Sequence, residues 1–488
     1  MHKRAVLNIL FALTGFTGVF MFLPAAGAWY YGDGDLTAFL RSSAICLGVG
    51  LPGYLVTRSK VALTSRDGFA IVTLGWLTMA LFASLPFMLS GAIPTFTDAF
   101  FETMSGLTTT GATILGDAAR MPHLPDGIES LPHGILLWRS FIQWIGGIGI
   151  IMFSVAILPF MGMGGTSLLK AEIPGPTVDR IKPRIQQTAK TLMLTYLIFS
   201  VAEVILLRTG GQSWFSSLTH SFTTMATGGF SINNDSINSM GAYNQYLIII
   251  FMLIAGINFT LHGKFLLGGQ NLYSGNRELY FFLGVVALFA TGIFVDISIH
   301  QYGWTEYSFR QALFLSASIT TTTGYGTVDY QLWSPFAQML LFALFFVGGS
   351  AGSTGGGIKV IRILVLVKFI RSEMRKLVHP NAIIPVRIGK DALHEDVIRN
   401  TIGFLLFYLA IFLVVSVILA GFGMDIFSAL AASASALGNI GPAFGSVGPY
   451  DNYAHLHAGA KWVLSFTMLL GRLEIFTVMV LFSRTFWK

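Results

Sequence analysis

Apolar runs about as long as a bilayer is thick recur along this chain, at residues 6–30, 36–56, 68–87, 134–161, 188–207, 244–267, 278–300, 333–369, 397–420 and 459–482. A hydrocarbon core about 30 Å thick is crossed by roughly 20 helical residues. Four further apolar segments, 96–107, 214–225, 307–319 and 425–437, are only roughly 12 residues long. They are too short to cross. Each leads into a small polar turn, which puts backbone at membrane depth. Irregular backbone is tolerated there only where it lines protein or a wet cavity. Only 11% of residues are charged, against about 25% in soluble domains. The pattern predicts an all-α polytopic membrane protein.

The third of these turns is Thr320 to Thr327, T-T-T-T-G-Y-G-T. Its core, Thr323-Gly324-Tyr325-Gly326, is similar to the potassium-channel filter, where backbone carbonyls replace an ion's water shell, and its filter residues are taken as Thr322, Thr323, Gly324 and Tyr325. The other turns are Thr109-Thr110-Gly111-Ala112, Ala226-Thr227-Gly228-Gly229 and Asn439-Ile440-Gly441-Pro442. Taking Gly111, Gly228, Gly324 and Gly441 as central, the spacings are 117, 96 and 117 residues. The chain thus reads as a two-helix hairpin (1–60) followed by four units of span, pore helix, filter turn and span: 61–165, 166–270, 271–375 and 376–488. Four turns in one chain make one pore. Glycine is required because turning carbonyls inward needs backbone angles denied to residues with a Cβ.

The net charge of +7 follows topology, not a nucleic-acid surface. With the N-terminus inside, 23 of the 30 Lys and Arg fall on the cytoplasmic side, nine of them between Lys359 and Arg399. Asp98, Glu102, Asp117, Asp126, Glu129, Asp235, Asp296, Glu306, Asp329, Asp425 and Asp451 fall on the opposite side. There they form an acidic vestibule over the turns, or are what the positive-inside rule leaves over. Both termini are expected in the cytoplasm. Lys3 and Arg4 precede an apolar run longer than the about 7–15 residues of a signal peptide, so the first span is expected to be retained. Cys46 stands alone, which excludes an internal disulfide framework. Neither a G-x-x-x-x-G-K-S/T loop nor an H-E-x-x-H motif occurs, and the ten histidines form no spaced pair suited to a metal. An enzyme is not indicated. A sensor without transport would not need four filter glycines.

Gly348, Gly349, Gly352, Gly355, Gly356 and Gly357 put six glycines in ten residues of the second span of unit three. Each costs a helix about 1 kcal/mol relative to Ala. The span is expected to break there into a mid-membrane loop, with Ser353 and Thr354 inside it, that obstructs the pore as a gate. Small-xxx-small helix packing is the alternative. Arg472 lies mid-span in the last helix, where a buried charge is expensive. It reads either as an electrostatic plug below the filter or as the ion-pair partner of Glu474. Lys359 and Arg362 follow the gate loop as positive-inside anchors, or as a regulatory contact.

Together with Leu107-Thr108-Thr109-Thr110-Gly111-Ala112-Thr113, Ile157-Leu158-Pro159, Val378-His379-Pro380-Asn381-Ala382 and Gly471-Arg472-Leu473-Glu474, these features resemble the TrkH/TrkG type of the Trk/Ktr/HKT potassium transporter superfamily over nearly the whole chain. The resemblance implies gated potassium uptake across the bacterial inner membrane, by a homodimer with one pore per chain. It implies no cofactor in this chain and K+ as the transported ion. It also implies a separate cytosolic TrkA-like ring that binds a nucleotide such as ATP, ADP or NAD. A sodium-selective protein or a cation-coupled symporter on the same fold is the alternative. The third turn departs from the usual pattern by carrying a full Gly-Tyr-Gly.

Overall fold

The structure is a computed structural model that describes residues 1–59, 61, 63–116, 126–156, 178–382, 384–389 and 391–487, with backbone only for 153–156 and 178–186. Asp117, Arg120, Ile157-Leu158-Pro159 and Lys170 lie outside these residues.

Among the described residues, seven helices are long and apolar enough to cross a membrane: Lys3–Tyr31, Leu36–Val56, Ser65–Leu89, His133–Met152, Gln187–Thr209, Arg277–Tyr302 and Glu395–Gly421. Most of them turn apolar side chains outward to lipid. His133–Met152 is different, with 72% of its apolar window buried, and sits inside the molecule. The N-terminal hairpin docks onto the start of this inner helix. Asp33 accepts from the backbone N–H of His133 at 2.7 Å and Asp35 from that of Ile135 at 3.1 Å. Two carboxylates thus meet the positive end of a helix dipole.

The four short helices are Phe96–Leu107, Trp214–Met225, Glu306–Thr320 and Ile426–Gly438. At 12 to 15 residues they reach only about 18–23 Å. All four start alike: the side chain of Thr95, Ser213, Thr305 or Asp425 accepts the N–H three residues on. Such a cap is worth about 1 kcal/mol and fixes where the helix begins. Their buried faces form the core of the protein.

The trailing spans correct the expectation of continuous helices. Unit three breaks as expected, into Pro335–Leu344 and Val360–Val378, with the glycine-rich segment between. Units two and four break too. Ala242–Gly256 and Phe259–Leu266 meet at 100°, and Ala458–Arg472 and Ile475–Phe482 at 115°. Asn258 caps the second half in unit two by accepting from Thr260 N–H at 2.8 Å. In unit four the bend falls at Glu474, whose φ is 58°. The helical reading gains one addition, a two-residue antiparallel ladder of Arg387–Ile388 with Asp391–Ala392.

Candidate ion-conduction site

The four pore helices end in one motif. Each helix runs into a left-handed residue: Thr109 (φ 51°), Thr227 (53°) and Thr322 (62°) follow the C-cap, and Asn439 (55°) is the C-cap itself. Its N–H returns to the carbonyl three residues back, at Gly106, Thr224, Ile319 and Ala436. The next N–H, of Thr110, Gly228, Thr323 or Ile440, returns five back, at 2.8, 2.8, 2.8 and 3.0 Å. This is a Schellman motif built without glycine at its left-handed position. A β-branched residue there stores strain of about 1–3 kcal/mol, which only surrounding structure can hold.

This common motif sets the register, and it corrects the second turn. The third position is left-handed in every turn and is Gly111 (φ 81°), Gly229 (74°), Gly324 (80°) and Gly441 (102°). Gly228 is therefore the counterpart of Thr110, not of Gly111. Ala226 belongs to the helix cap with Thr108 and Thr321, and Phe230 takes the place of Ala112, Tyr325 and Pro442. The true spacings are 118, 95 and 117 residues.

The turns touch in cyclic order. A Cβ built on Gly111 would lie 2.2 Å from the carbonyl oxygen of Gly228. One on Gly229 would lie 2.0 Å from that of Thr323, one on Gly324 1.8 Å from that of Ile440, and one on Gly441 2.6 Å from that of Thr110. Each unit thus presses its glycine against the carbonyl before the next unit's glycine, and the fourth closes onto the first. The result is one ring with a backbone oxygen from every unit. The carboxyl ends of four helices point at it, which adds partial negative charge.

Side chains behind the ring hold it. Gln143 donates to the Gly228 carbonyl at 2.7 Å and accepts from Phe230 N–H at 3.2 Å. Tyr453 Oη donates to the Gly441 carbonyl at 2.7 Å, and Ser318 Oγ to that of Tyr325 at 2.8 Å. The Tyr325 ring points away from the ring centre. Its hydroxyl meets Thr223, Thr224 and the His220 carbonyl on the second pore helix. Thr108 bonds Thr110, and Thr321 bonds Thr323, both at 2.8 Å.

The glycine-rich segment 348–357 lies directly beneath the third and fourth turns. Gly356 N–H donates to Thr322 Oγ1 at 2.6 Å, and a Cβ on Gly356 would meet the Gly438 carbonyl at 2.5 Å. The segment is a loop whose ends meet: a Cβ on Gly357 would lie 2.9 Å from Gly348 Cα. It is not a packed helix. Ser350 N–H reaches the Gly256 carbonyl at 2.8 Å, Thr354 Oγ1 the Ala255 carbonyl at 3.1 Å, and Phe259 N–H the Gly352 carbonyl at 3.0 Å. Gly349 and Gly355 stack on one another, with Ser353 bonded back to Ser350. Glu278 accepts Ala351 N–H at 2.7 Å.

Arg472 is 3% exposed, so it does not snorkel. It donates to the loop's Thr354 carbonyl at 2.6 Å and to the Gly146 carbonyl at 3.1 Å. Glu474 pairs with Arg362 instead, at 2.7 Å. The Arg362 guanidinium also covers the Phe404 ring at 4.0 Å. Lys359 turns back to the Gly355 carbonyl. Lys359 and Arg362, read from the sequence as positive-inside anchors or as a regulatory contact, are both engaged within the chain. The vestibule needs a correction as well. Glu102 is fully buried behind the first turn, paired with Arg139, and Asp98 is paired with Lys461.

The sequence reading missed Arg139, Gln143, Tyr453 and Glu278, and it placed Glu102 among the outer acids without its role behind the first turn. Arg139 and Gln143 carried a usable signal, since polar residues four apart inside an apolar span share one helix face.

The model of the TrkH family, described as a cation transport protein, matches residues 36–291 and 279–488. The chain is 41% identical to the Trk system potassium uptake protein TrkH of Salmonella typhimurium, over the full length of both. It is 33% identical to TrkG of Escherichia coli, over all of this chain and 99% of that protein. Its structure superposes on the crystal structure of the potassium transporter TrkH from Vibrio parahaemolyticus with a TM-score of 0.90, at 38% identity and full coverage of both chains.

Proposed function

The chain belongs to the TrkH cation transport family, and on that premise we propose that it conducts potassium into the cell through the ring of four turns. The observation that carries this reading is the cyclic closure of the ring, Gly111 on Gly228, Gly229 on Thr323, Gly324 on Ile440 and Gly441 on Thr110. A dehydrated monovalent cation needs several oxygens that carry no full charge, so that it can also leave. One carbonyl from each unit, on a backbone that cannot move, meets that need. The filter spans Thr109–Ala112, Thr227–Phe230, Thr322–Tyr325 and Asn439–Pro442 once the second turn is set in register.

The loop 348–357 is the gate and Arg472 is its latch. Inward flow is downhill: each charge gains about 2.3 kcal/mol per 100 mV of membrane potential. Both termini face the cytoplasm of a bacterial inner membrane. A homodimer, with a separate nucleotide-binding ring acting on the gate loop, completes the unit. That ring must first break the contacts that Lys359 and Arg362 now make.

The test is flux into liposomes with purified protein, potassium against sodium. A potassium flux well above the sodium flux is expected. A sodium preference, or flux that requires a proton or sodium gradient, would replace the reading with the symporter alternative. Glu474→Gln should raise basal potassium flux about five- to twelvefold, because loss of a charged hydrogen-bond partner at this mostly buried site is worth roughly 1–1.5 kcal/mol. Unchanged flux would remove Arg362–Glu474 from the gate.

A further inference from the structure

Glu102 and Arg139 are the most deeply buried ion pair among the described residues, at 0% and 2% exposure. Neither faces the ion path. Glu102 sits on the first pore helix and Arg139 on the inner helix His133–Ala156. The Arg139 Nε donates to Glu102 Oε1 at 2.7 Å. Every remaining bond of the pair runs to the legs of the turns just beyond the ring. Glu102 accepts from Thr113 Oγ1 at 2.8 Å and from Ile114 N–H at 3.0 Å. Arg139 donates to Thr113 Oγ1 at 3.1 Å and to the Ser231 carbonyl at 2.6 Å. Its guanidinium lies over the Phe230 ring at 3.9 Å.

Thr113 and Ser231 occupy the same register position, two residues past ring glycines Gly111 and Gly229. One guanidinium therefore ties the equivalent legs of two adjacent turns to each other and to a pore helix. The third and fourth turns are held differently. Gly326 N–H reaches Ser236 Oγ at 3.2 Å, and Tyr330 Oη donates to the Ala443 carbonyl at 2.7 Å. The Gly326 carbonyl also accepts from Ile237 N–H at 3.0 Å, and Ala443 N–H reaches the Val447 carbonyl at 2.8 Å. All of these supports are neutral.

Stability alone does not explain the pair. A buried ion pair replaced by apolar groups of similar volume often leaves a protein as stable or more so. What the pair adds is geometry. A planar fork carries its donors on three separate nitrogens in fixed directions and so spans three acceptors set apart from one another, whereas lysine's three donors rotate about a single nitrogen. One route to telling apart ions that differ by a fraction of an ångström in radius is to keep the carbonyls from relaxing onto the smaller one.

We propose that Glu102 and Arg139 are positioning residues that set the potassium-over-sodium selectivity of the ring by fixing the spacing of its first and second turns. The proposal rests on the reading of the turns as a potassium filter. Arg139→Lys keeps the charge and loses the fork. Thr113→Val keeps the pair and removes the hydroxyl through which both of its members hold the first turn. Glu102→Met with Arg139→Met removes the pair while filling its volume.

The potassium and sodium fluxes of each variant are measured in liposomes, alongside its thermal unfolding. Arg139→Lys and Thr113→Val are expected to conduct potassium and to lose about tenfold or more of the flux ratio, the discrimination of a charged hydrogen bond. The double variant is expected to unfold near the wild-type temperature and still lack the ratio. A wild-type ratio in Arg139→Lys and Thr113→Val, or in the double variant, would overturn the proposal. A wild-type protein that itself prefers sodium would overturn the potassium reading instead, and the same variants would still show whether the pair sets the ratio.

Discussion

Gly324→Ala should cut potassium flux by on the order of a hundredfold. The added Cβ would sit 1.8 Å from the Ile440 carbonyl oxygen, on a residue with φ of 80°. Neither side can give way. Ile440 is fastened by its own N–H to Ser435 at 3.0 Å, and Gly324 by its N–H to Ser318. Left-handed strain on a residue with a Cβ costs about 1–3 kcal/mol, and each 1.4 kcal/mol is a factor of ten. Pushing the Ile440 oxygen out of the ring also removes one of the oxygens that replace the ion's water. Gly229→Ala should do the same, since its Cβ would lie 2.0 Å from the Thr323 oxygen. Gly228→Ala should be milder, because its Cβ meets the Gln143 side chain rather than backbone. The order of the two second-turn variants, read as potassium uptake into liposomes, checks the register. A milder effect at Gly229 than at Gly228 would refute it.

Arg472→Met should act the other way and raise basal flux about tenfold to a hundredfold. Methionine keeps an unbranched apolar stem and lacks the guanidinium. The substitution removes the bond to the Thr354 carbonyl, which pins the loop, and the bond to Gly146, which anchors the arginine. Hydrogen bonds to charged groups contribute about 1.5–3 kcal/mol each. Loss of one such bond shifts a closed-to-open equilibrium by roughly that amount. A positive charge also leaves the loop side of the ring, which lowers the barrier to a cation. Open probability in planar bilayers, without any regulatory partner, is the measurement. Unchanged opening in a well-folded variant would make Arg472 a packing residue.

The pore helices were legible because both of their determinants are local. A Ser, Thr or Asp cap followed by a short apolar stretch set Phe96–Leu107 and Trp214–Met225 to the residue. The break in unit three was legible from glycine density. The breaks in units two and four were not, because neither contains a glycine or proline run. Leu473 and Glu474 bend where Glu474 reaches across to Arg362, a contact 112 residues away in sequence. Asn258 did carry a local signal, since Asn is a preferred helix cap. The second turn was misread for a different reason. Thr227-Gly228-Gly229 offers two glycines, and only packing against Thr323 decides between them. Glu102 was assigned to a wet vestibule because charge bias tells which end of a helix faces outward, but not which face is wet.

The ring has a further consequence for how such a protein can be made. Its last contact joins residues at opposite ends of the chain: Gly441 meets Thr110, and Asn439 Nδ2 bonds Thr110 Oγ1 across 329 positions. Synthesis delivers the first turn long before the fourth. A chain arrested on the ribosome after three units holds three quarters of a ring and cannot strip an ion of its water. On the reading proposed above, in which the ring is the filter, potassium permeability arrives in one step, when the last helices enter the bilayer.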